Sequence, residues 1–300
     1  SLKSVACSSE FVRLGQKGLS IHFLTDETHW GKESQNLMAS LEEELSLPIQ
    51  VHQLPEIELP GQGHFYPPMV MGKLLIPSLF QNYQRVVYFD ADTEVLGDVS
   101  DLLELDLGSH WVGACLEATM ARYVDQRVPP PRFTGIKTAG DYVHSYLGLA
   151  DGQYINTGVM VFDPKKQNAK AFSSQALSEI GKKQFWFADQ CIASMIIQGD
   201  FYRLDPVWNY QIGDSWPKLK TPDVKVIHYS GVFRPWKILG ISKSSGYFRN
   251  IESYCSELNQ TPPGSKAPFA RILLTAGLLA FRLLPSRLSN YARLVLRARR

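Results

Sequence analysis

The sequence of 300 residues contains few cysteines and no long apolar run. Its four cysteines, Cys7, Cys115, Cys191 and Cys255, are not paired at metal-ligand spacing. We therefore expect buried free thiols in a reducing compartment rather than a disulfide framework. The longest candidate membrane span, 272–281, is ten residues between two arginines, which is too short to cross a bilayer. The initial stretch "SLKSVACSSE" has no long apolar core, so we expect no signal peptide.

Acidic residues are absent after Glu257, although the rest of the chain is rich in them. Residues 261–300 carry eight basic side chains, whereas the whole chain has a net charge of only +2, so the first 260 residues carry −6. Leucines combined with basic residues are typical of helices that lie on anionic membranes. We predict a catalytic domain over 1–260 and a basic amphipathic membrane-association tail over 261–300; a terminal helix packed on the body is the alternative. The predicted location is cytoplasmic and peripheral, on the inner face of the membrane, with no nucleic-acid partner.

Short apolar runs alternate with helical patterns along the first 230 residues. This alternation predicts an α/β single domain with a mainly parallel central sheet flanked by helices. The predicted strands are 19–25, 49–54, 85–89, 110–117, 154–162, 201–204 and 224–230, and the predicted helices are 32–46, 69–83, 169–183 and 188–198. In such sheets, ligands bind beyond the carboxyl ends of the strands.

Two carboxylates, Asp90 and Asp92, follow directly after the buried run "RVVYF". Side chains at i and i+2 of an extended strand point the same way, so both could bind one hard cation, Mg²⁺ or Mn²⁺. The same spacing occurs in haloacid-dehalogenase-type phosphatases, where Asp90 would be the nucleophile, and "GDFYRLD" (199–205) imitates their distal motif. Three features oppose that alternative: the strand comes late in the chain, a strand-like run follows Asp200, and no convincing lysine-bearing motif lies between the two.

A histidine lies at the end of another predicted strand, in "IHYSGVFRPW" (227–236). The imidazole of His228 could be a third metal ligand, and a nitrogen ligand favours Mn²⁺ over Mg²⁺. Gly231 would let the backbone approach a diphosphate, and Arg234 would neutralise its charge. The alternative is a histidine with a structural role.

Polar residues also interrupt two apolar segments. Asn156 and Thr157 lie in "YINTGVMVFD", where a buried amide needs partners. The hydroxyls of a bound sugar would be suitable partners, and a bulge with local hydrogen bonds would serve equally. Asp189 and Gln190 begin an apolar helix, where Asp189 could be either a ligand or an N-cap.

Taken in order, these motifs resemble glycosyltransferase family 8, which includes glycogenin and bacterial lipopolysaccharide galactosyl- and glucosyltransferases. The resemblance covers about residues 70–236, and "DLGSHWVGAC" resembles the lipopolysaccharide branch most. The matching motifs are "VVYFDADTEVLGDVSDLLELDL", "HWVGACLE", "YINTGVMVFD", "FADQ", "DPVWNYQ" and "HYSGVFRPW". The resemblance implies a GT-A fold, a UDP-sugar donor, Mn²⁺ and retention at the anomeric carbon.

The resemblance also implies roles for individual residues. Asp90, Asp92 and His228 would bind Mn²⁺, with Mg²⁺ possible. The implied nucleotide and diphosphate contacts are Lys73, Ala91, Gly231 and Arg234. The implied sugar contacts are Glu117, Asn156, Thr157, Asp189 and Gln190, the last two being the catalytic residues. The sequence departs from the family in having Lys73 where arginine is typical and Arg234 where lysine is typical. The family's first nucleotide-binding strand, with its uridine contacts, is not legible in "SLKSVACSSEFVRLG".

The sequence therefore predicts a hexosyltransferase that moves galactose or glucose from a UDP-sugar to a saccharide acceptor. If the tail binds membranes, the acceptor is lipid-linked, as in the core of lipopolysaccharide. Two alternatives remain open: a dehalogenase-type phosphatase with Asp90 as nucleophile, and a catalytically inactive sugar-nucleotide-binding protein.

Overall fold

The computed structural model describes residues 20–25, 31–45, 48–54, 68–131, 134–211 and 223–230. Nine strands lie within these ranges: β1 Ile21–Thr25, β2 Ile49–Gln53, β3 Val86–Phe89, β4 Thr93–Val95, β5 Val112–Leu116, β6 Ile155–Phe162, β7 Tyr202–Arg203, β8 Tyr210–Gln211 and β9 Val226–His228. The described α-helices are α1 Lys32–Leu45, α2 Ile76–Leu79, α3 Ser100–Leu103, α4 Ala118–Asp125, α5 Ala139–Asp141, α6 Gln167–Glu179 and α7 Ala188–Ile197. Strands and helices alternate as predicted.

The central sheet has four strands in the order β3-β6-β5-β7. Strand β6 is buried along its whole length and runs antiparallel to both β3 and β5, whereas β5 and β7 are parallel. The expected mainly parallel order is therefore wrong for this sheet, which is mixed. Both faces of β6 are covered, so its sequence is a continuous apolar run. Such a run is the same for a parallel and an antiparallel strand, and the sequence therefore did not indicate the direction of β6.

Two smaller sheets accompany the central one. Strands β1 and β2 form a parallel pair, and β4-β9-β8 form a three-stranded sheet. In the latter, β4 is antiparallel to β9 and Thr93 lies opposite His228. This pairing brings the two carboxylates that precede β4 next to a histidine that follows Asp92 by 136 positions in the chain.

Two apolar clusters cover the faces of the central sheet. Met160 and Phe162 of β6 belong to the larger cluster, which includes residues of α6 and α7. Val159 and Val161 belong to the smaller one, together with Val95 of β4. The period of two along β6 thus divides its side chains between both clusters. Cys115 and Cys191 are free and buried, as predicted.

The predicted helix over 69–83 takes a tighter form. Pro68–Leu75 is a 3₁₀ helix, and α2 follows with Pro77 in its first turn. Proline is tolerated there because its missing N–H would have no intrahelical partner. Among the described helices, none is long and apolar enough to span a bilayer. The predicted tail, 261–300, and the start of the chain, 1–19, lie outside the described residues.

Candidate active site

Three of the predicted ligands converge at the edge where β3 ends. The chain turns directly after Asp90, and the hydroxyl and the N–H of Thr93 both donate to the Asp90 carbonyl, at 2.8 and 3.1 Å. Nε2 of His228 lies 3.3 Å from Oδ1 of Asp92 and 3.8 Å from Oδ2 of Asp90. One ligand atom from each residue lies within 4.8 Å of the others, so the group could hold a metal ion.

The chemistry of this group fits a divalent cation. Two carboxylates with one imidazole make a mixed oxygen and nitrogen donor set, which suits Mn²⁺. Burial opposes a positive charge on His228, but its hydrogen bond with Asp92 and the charges of Asp92 and Asp90 outweigh burial and raise its pKa. The two carboxylates therefore favour a positive charge beside them, which is the property that a cation site requires.

Lys73 lies between two carboxylates of the site. Its Nζ is 2.6 Å from Oδ1 of Asp90 and 3.2 Å from Oδ2 of Asp189, and its side chain is only 6% exposed. Burial disfavours the ammonium, yet the charges of Asp189 and Asp90 outweigh it and hold the pKa of Lys73 well above its ordinary value. The hydroxyl of Tyr88 also donates to Oδ1 of Asp90, at 2.6 Å. These contacts do not test the diphosphate contact that the resemblance implies for Lys73, which stays a prediction.

Asp189 and Gln190 both accept hydrogen bonds from Thr157 of β6. The hydroxyl of Thr157 donates to Oδ2 of Asp189 at 2.7 Å, and the N–H of Thr157 donates to Oε1 of Gln190 at 3.3 Å. Burial raises the pKa of the Asp189 carboxyl, and the charge of Lys73 offsets part of this effect. The N-cap of α7 is Phe187, without a side-chain hydrogen bond, so Asp189 does not have the N-cap role considered above.

Ala188, between the cap and Asp189, has a positive φ of 22°. This backbone conformation is uncommon for a residue with a side chain. The turn it makes leads directly into the first turn of α7, where Asp189 reaches Lys73 and Thr157.

Asn156 lies where the pairing of β5 and β6 changes register. Cys115 is opposite Asn156 while Ala114 is opposite Met160. Nδ2 of Asn156 donates to Glu117, and its Oδ1 accepts from the N–H of Gly158 at 2.8 Å. The local bulge considered above is therefore present, and the sugar contacts of Glu117 and Asn156 stay predictions.

The remaining predicted contacts divide into two groups. Ala91 is exposed in the turn between β3 and β4, and its nucleotide contact stays a prediction. Gly231 and Arg234 lie outside the described residues.

Sequence reasoning missed three residues of the site: Tyr88, Asn209 and Gly158. Tyr88 could have been found, because it precedes Asp90 by two positions on a strand and so shares its face. Asn209 donates to Oδ1 of Asn156 at 2.8 Å and contacts His228 at 2.9 Å. Asn209 could have been found as the one amide side chain among the apolar and aromatic residues in the middle of the motif "DPVWNYQ". Gly158 packs so closely on the His228 ring that an added Cβ would lie 2.1 Å from Cε1.

The topology separates Asp90 from Asp200, the first acid of the distal phosphatase-like motif. Strands β3, β5 and β7 run in the same direction, since β3 and β5 are both antiparallel to β6 and β7 is parallel to β5. Asp90 follows the end of β3, whereas Asp200 precedes β7 and contacts His110 and Asn168. Asp90 and Asp200 therefore lie at opposite ends of these strands, which argues against a phosphatase site that they share.

Comparison of the sequence with known proteins identifies one family. The sequence model described as Glycosyl transferase family 8 matches residues 4–240. The lipopolysaccharide 1,2-glucosyltransferase of Escherichia coli (strain K12) is 25% identical over 178 residues, which is 55% of this chain and 48% of that protein. General stress protein A of Bacillus subtilis (strain 168) is 26% identical over 185 residues, covering 55% and 57% of the two chains. The alignments thus span about half the length of these curated relatives.

Comparison with solved structures indicates a shared fold. The galactosyltransferase LgtC, in complex with donor and acceptor sugar analogs, superposes with a TM-score of 0.61 at 16% identity, covering 84% of this chain and 91% of that chain. The WbbM bifunctional glycosyltransferase in its apo form superposes with a TM-score of 0.63 at 23% identity, covering 78% of this chain and 43% of that chain. At these identities the similarity concerns the fold alone.

Proposed function

Because the chain belongs to glycosyltransferase family 8 and has a GT-A-like fold, both as predicted, we propose that it is a retaining hexosyltransferase. It moves glucose or galactose from a UDP-sugar to a saccharide acceptor with the aid of Mn²⁺. One observation carries the proposal: Asp90, Asp92 and His228 converge within 4.8 Å at the end of a central strand. Lys73 links this group to Asp189.

The metal site is the first part of the proposed mechanism. Asp90, Asp92 and His228 would hold Mn²⁺, with Mg²⁺ as the second candidate. A bound divalent cation would neutralise the negative charge that develops on the departing UDP. Ala91 lies exposed between the two aspartates, where its backbone would contact the nucleotide. Gly231 and Arg234 would complete the diphosphate contacts.

The sugar would bind on the side of the site formed by β6 and α7. Glu117, Asn156, Thr157, Asp189 and Gln190 are all buried, and their hydrogen bonds to one another hold them rigid before the donor arrives. The carboxylate of Asp189 is close to Lys73 and accepts from Thr157. Both contacts are made to Oδ2, so this oxygen is occupied and less available for attack on the sugar. The mechanism therefore favours attack on the same face as the leaving group, with the departing phosphate accepting the proton of the acceptor.

Release of UDP is the measurement that tests the proposal. Purified protein should release UDP from one member of a panel of UDP-sugars, UDP-glucose or UDP-galactose, with Mn²⁺ present and not with EDTA. UDP binding without turnover of any sugar would support the inactive binding protein instead. Turnover of p-nitrophenyl phosphate without UDP release would support the phosphatase. A covalent glycosyl adduct on Asp189, visible by intact-mass spectrometry, would replace same-face attack with double displacement.

The acceptor is proposed to be lipid-linked, as in lipopolysaccharide core. The support is the charge of the last forty residues, which carry eight basic side chains and no acidic one. Arginines would meet anionic headgroups and leucines would enter the interface. Removal of 266–300 should release the protein from anionic liposomes in a sedimentation assay and leave UDP-sugar hydrolysis unchanged. Neutral liposomes are the control, and equal binding by the shortened protein to anionic liposomes would contradict this role.

A further inference from the structure

A buried chain of hydrogen bonds connects His228 to Glu117 through two asparagines. Nδ1 of His228 lies 2.9 Å from Oδ1 of Asn209, and Nδ2 of Asn209 donates to Oδ1 of Asn156 at 2.8 Å. Nδ2 of Asn156 donates in turn to Oε2 of Glu117. All four side chains are at most 6% exposed, so their polar atoms depend on one another for partners.

Two backbone N–H groups determine the direction of this chain, since a backbone N–H can only donate. The N–H of Gly158 donates at 2.8 Å to one side-chain atom of Asn156, which must therefore be the oxygen. The N–H of Thr119 donates at 3.0 Å to Oε1 of Glu117, at the other end of the chain. The acceptor oxygen Oε2 of Glu117 then faces the Asn156 nitrogen. Both ends give the same orientation for the amide of Asn156.

The orientation of Asn209 follows from that of Asn156. An oxygen on Asn156 requires a donor opposite it, so Asn209 must direct its nitrogen there and its oxygen toward His228. An oxygen facing Nδ1 of His228 requires a hydrogen on Nδ1. In a neutral imidazole the lone pair is then on Nε2, the atom that lies 3.3 Å from Asp92.

We propose that Asn209 is a positioning residue that keeps His228 in the tautomer with hydrogen on Nδ1, so that Nε2 is the metal-binding atom. The inference rests on the proposed function, because it assumes a cation among Asp90, Asp92 and His228. A metal-binding histidine is oriented by the partner of its second nitrogen, and losing such a partner typically costs 10- to 100-fold in metal affinity. Gly158 confines the ring sterically, since its backbone leaves no space for a Cβ beside the imidazole.

The test is the affinity of the protein for Mn²⁺ alone, measured by the electron paramagnetic resonance signal of free Mn²⁺. Asn209→Leu keeps the approximate size of the side chain and removes the acceptor, so we expect Mn²⁺ affinity to fall about tenfold or more. Asn209→Asp keeps an oxygen toward His228 but places a second oxygen against Oδ1 of Asn156. This variant should lose thermal stability and keep Mn²⁺ affinity within about threefold of the wild type, well short of the loss expected when the partner is removed.

Ser194→Ala is the matched control, because its hydroxyl accepts from the N–H of Ile155 on β6 at 3.1 Å without touching His228. It should lose stability and keep Mn²⁺ affinity. Unchanged affinity in folded Asn209→Leu, or an equal loss in Asn209→Asp, would overturn the positioning role. If Asn209→Leu does not fold, Asn209→Ala takes its place, because it removes the same acceptor from Nδ1 of His228 and should lower Mn²⁺ affinity to a similar extent. No Mn²⁺ binding by the wild type would overturn the metal site and the proposed function together, a result distinct from failure of the variants.

Discussion

Replacing Asp92 with asparagine is expected to lower Mn²⁺-dependent UDP release by about a thousandfold. The amide has nearly the same shape but no negative charge, and metal catalysis contributes several kcal/mol of charge stabilisation at about 1.4 kcal/mol per tenfold in rate. Asp92 is buried, and its Oδ1 lies 3.3 Å from Nε2 of His228. The measurement is the initial rate of UDP release at saturating UDP-sugar and a series of Mn²⁺ concentrations.

A matched exchange at Asp106 separates the loss of a ligand from the loss of a charge. Asp106 is exposed and accepts a hydrogen bond from the N–H of Gly108 at 2.8 Å, which an asparagine oxygen can also accept. Asp106→Asn should keep the wild-type rate. Equal rates for Asp92→Asn and the wild type, with both proteins folded by circular dichroism, would exclude Asp92 from the metal site.

Replacing Lys73 with methionine is expected to destabilise the fold by about 3–5 kcal/mol, the usual effect of removing one partner from a buried ion pair. The change leaves the buried carboxylate of Asp189 and the partly buried one of Asp90 without their shared cation. Lys73→Arg keeps the charge, and we expect it to lose much less. The measurement is the free energy of unfolding in urea.

The pH dependence of this loss has a definite sign. Burial already raises the pKa of Asp189, and removal of the Lys73 charge raises it further. The folded variant therefore binds a proton at pH values where the unfolded chain does not, so its stability increases as the pH falls. The cost of Lys73→Met should accordingly be smaller at pH 5.5 than at pH 8.

An exposed ion pair provides the control for Lys73→Met. Lys182 pairs with Glu179 at 2.8 Å, but its side chain is 58% exposed. Such pairs contribute about 0–1 kcal/mol, so Lys182→Met should leave stability almost unchanged at both pH values. A similar small loss for Lys73→Met would contradict the bridging role of Lys73.

The convergence of the candidate metal-binding group could be predicted because each member is signalled locally. Asp90 and Asp92 are separated by two positions after an apolar strand, and His228 ends another strand. Their convergence then depends only on the general rule that ligands collect at strand ends. The resemblance of the ordered motifs supplied the family.

The interactions around that group could not be predicted in the same way. Lys73 precedes Asp90 by 17 positions, and its reach to Asp189 depends on how the 3₁₀ helix packs on α7. Asn209 and Asn156 are 53 positions apart, and their contact depends on the register of β6. The strand directions were missed for a related reason, since burial on both faces removes the alternation that distinguishes one sheet arrangement from another.

The contact between Gly158 and His228 has a consequence for how the gene can vary. Every glycine codon differs by one nucleotide only from other glycine codons, from stop codons, or from codons for residues that have a Cβ. At position 158 any such Cβ would lie 2.1 Å from the imidazole of His228, a distance that van der Waals contact forbids. Each point mutation that replaces this glycine with another amino acid would therefore displace the imidazole of His228, a proposed metal ligand, without touching a charged residue. The codon for an uncharged, inconspicuous glycine is thus as sensitive to mutation as the codons for the ligands themselves.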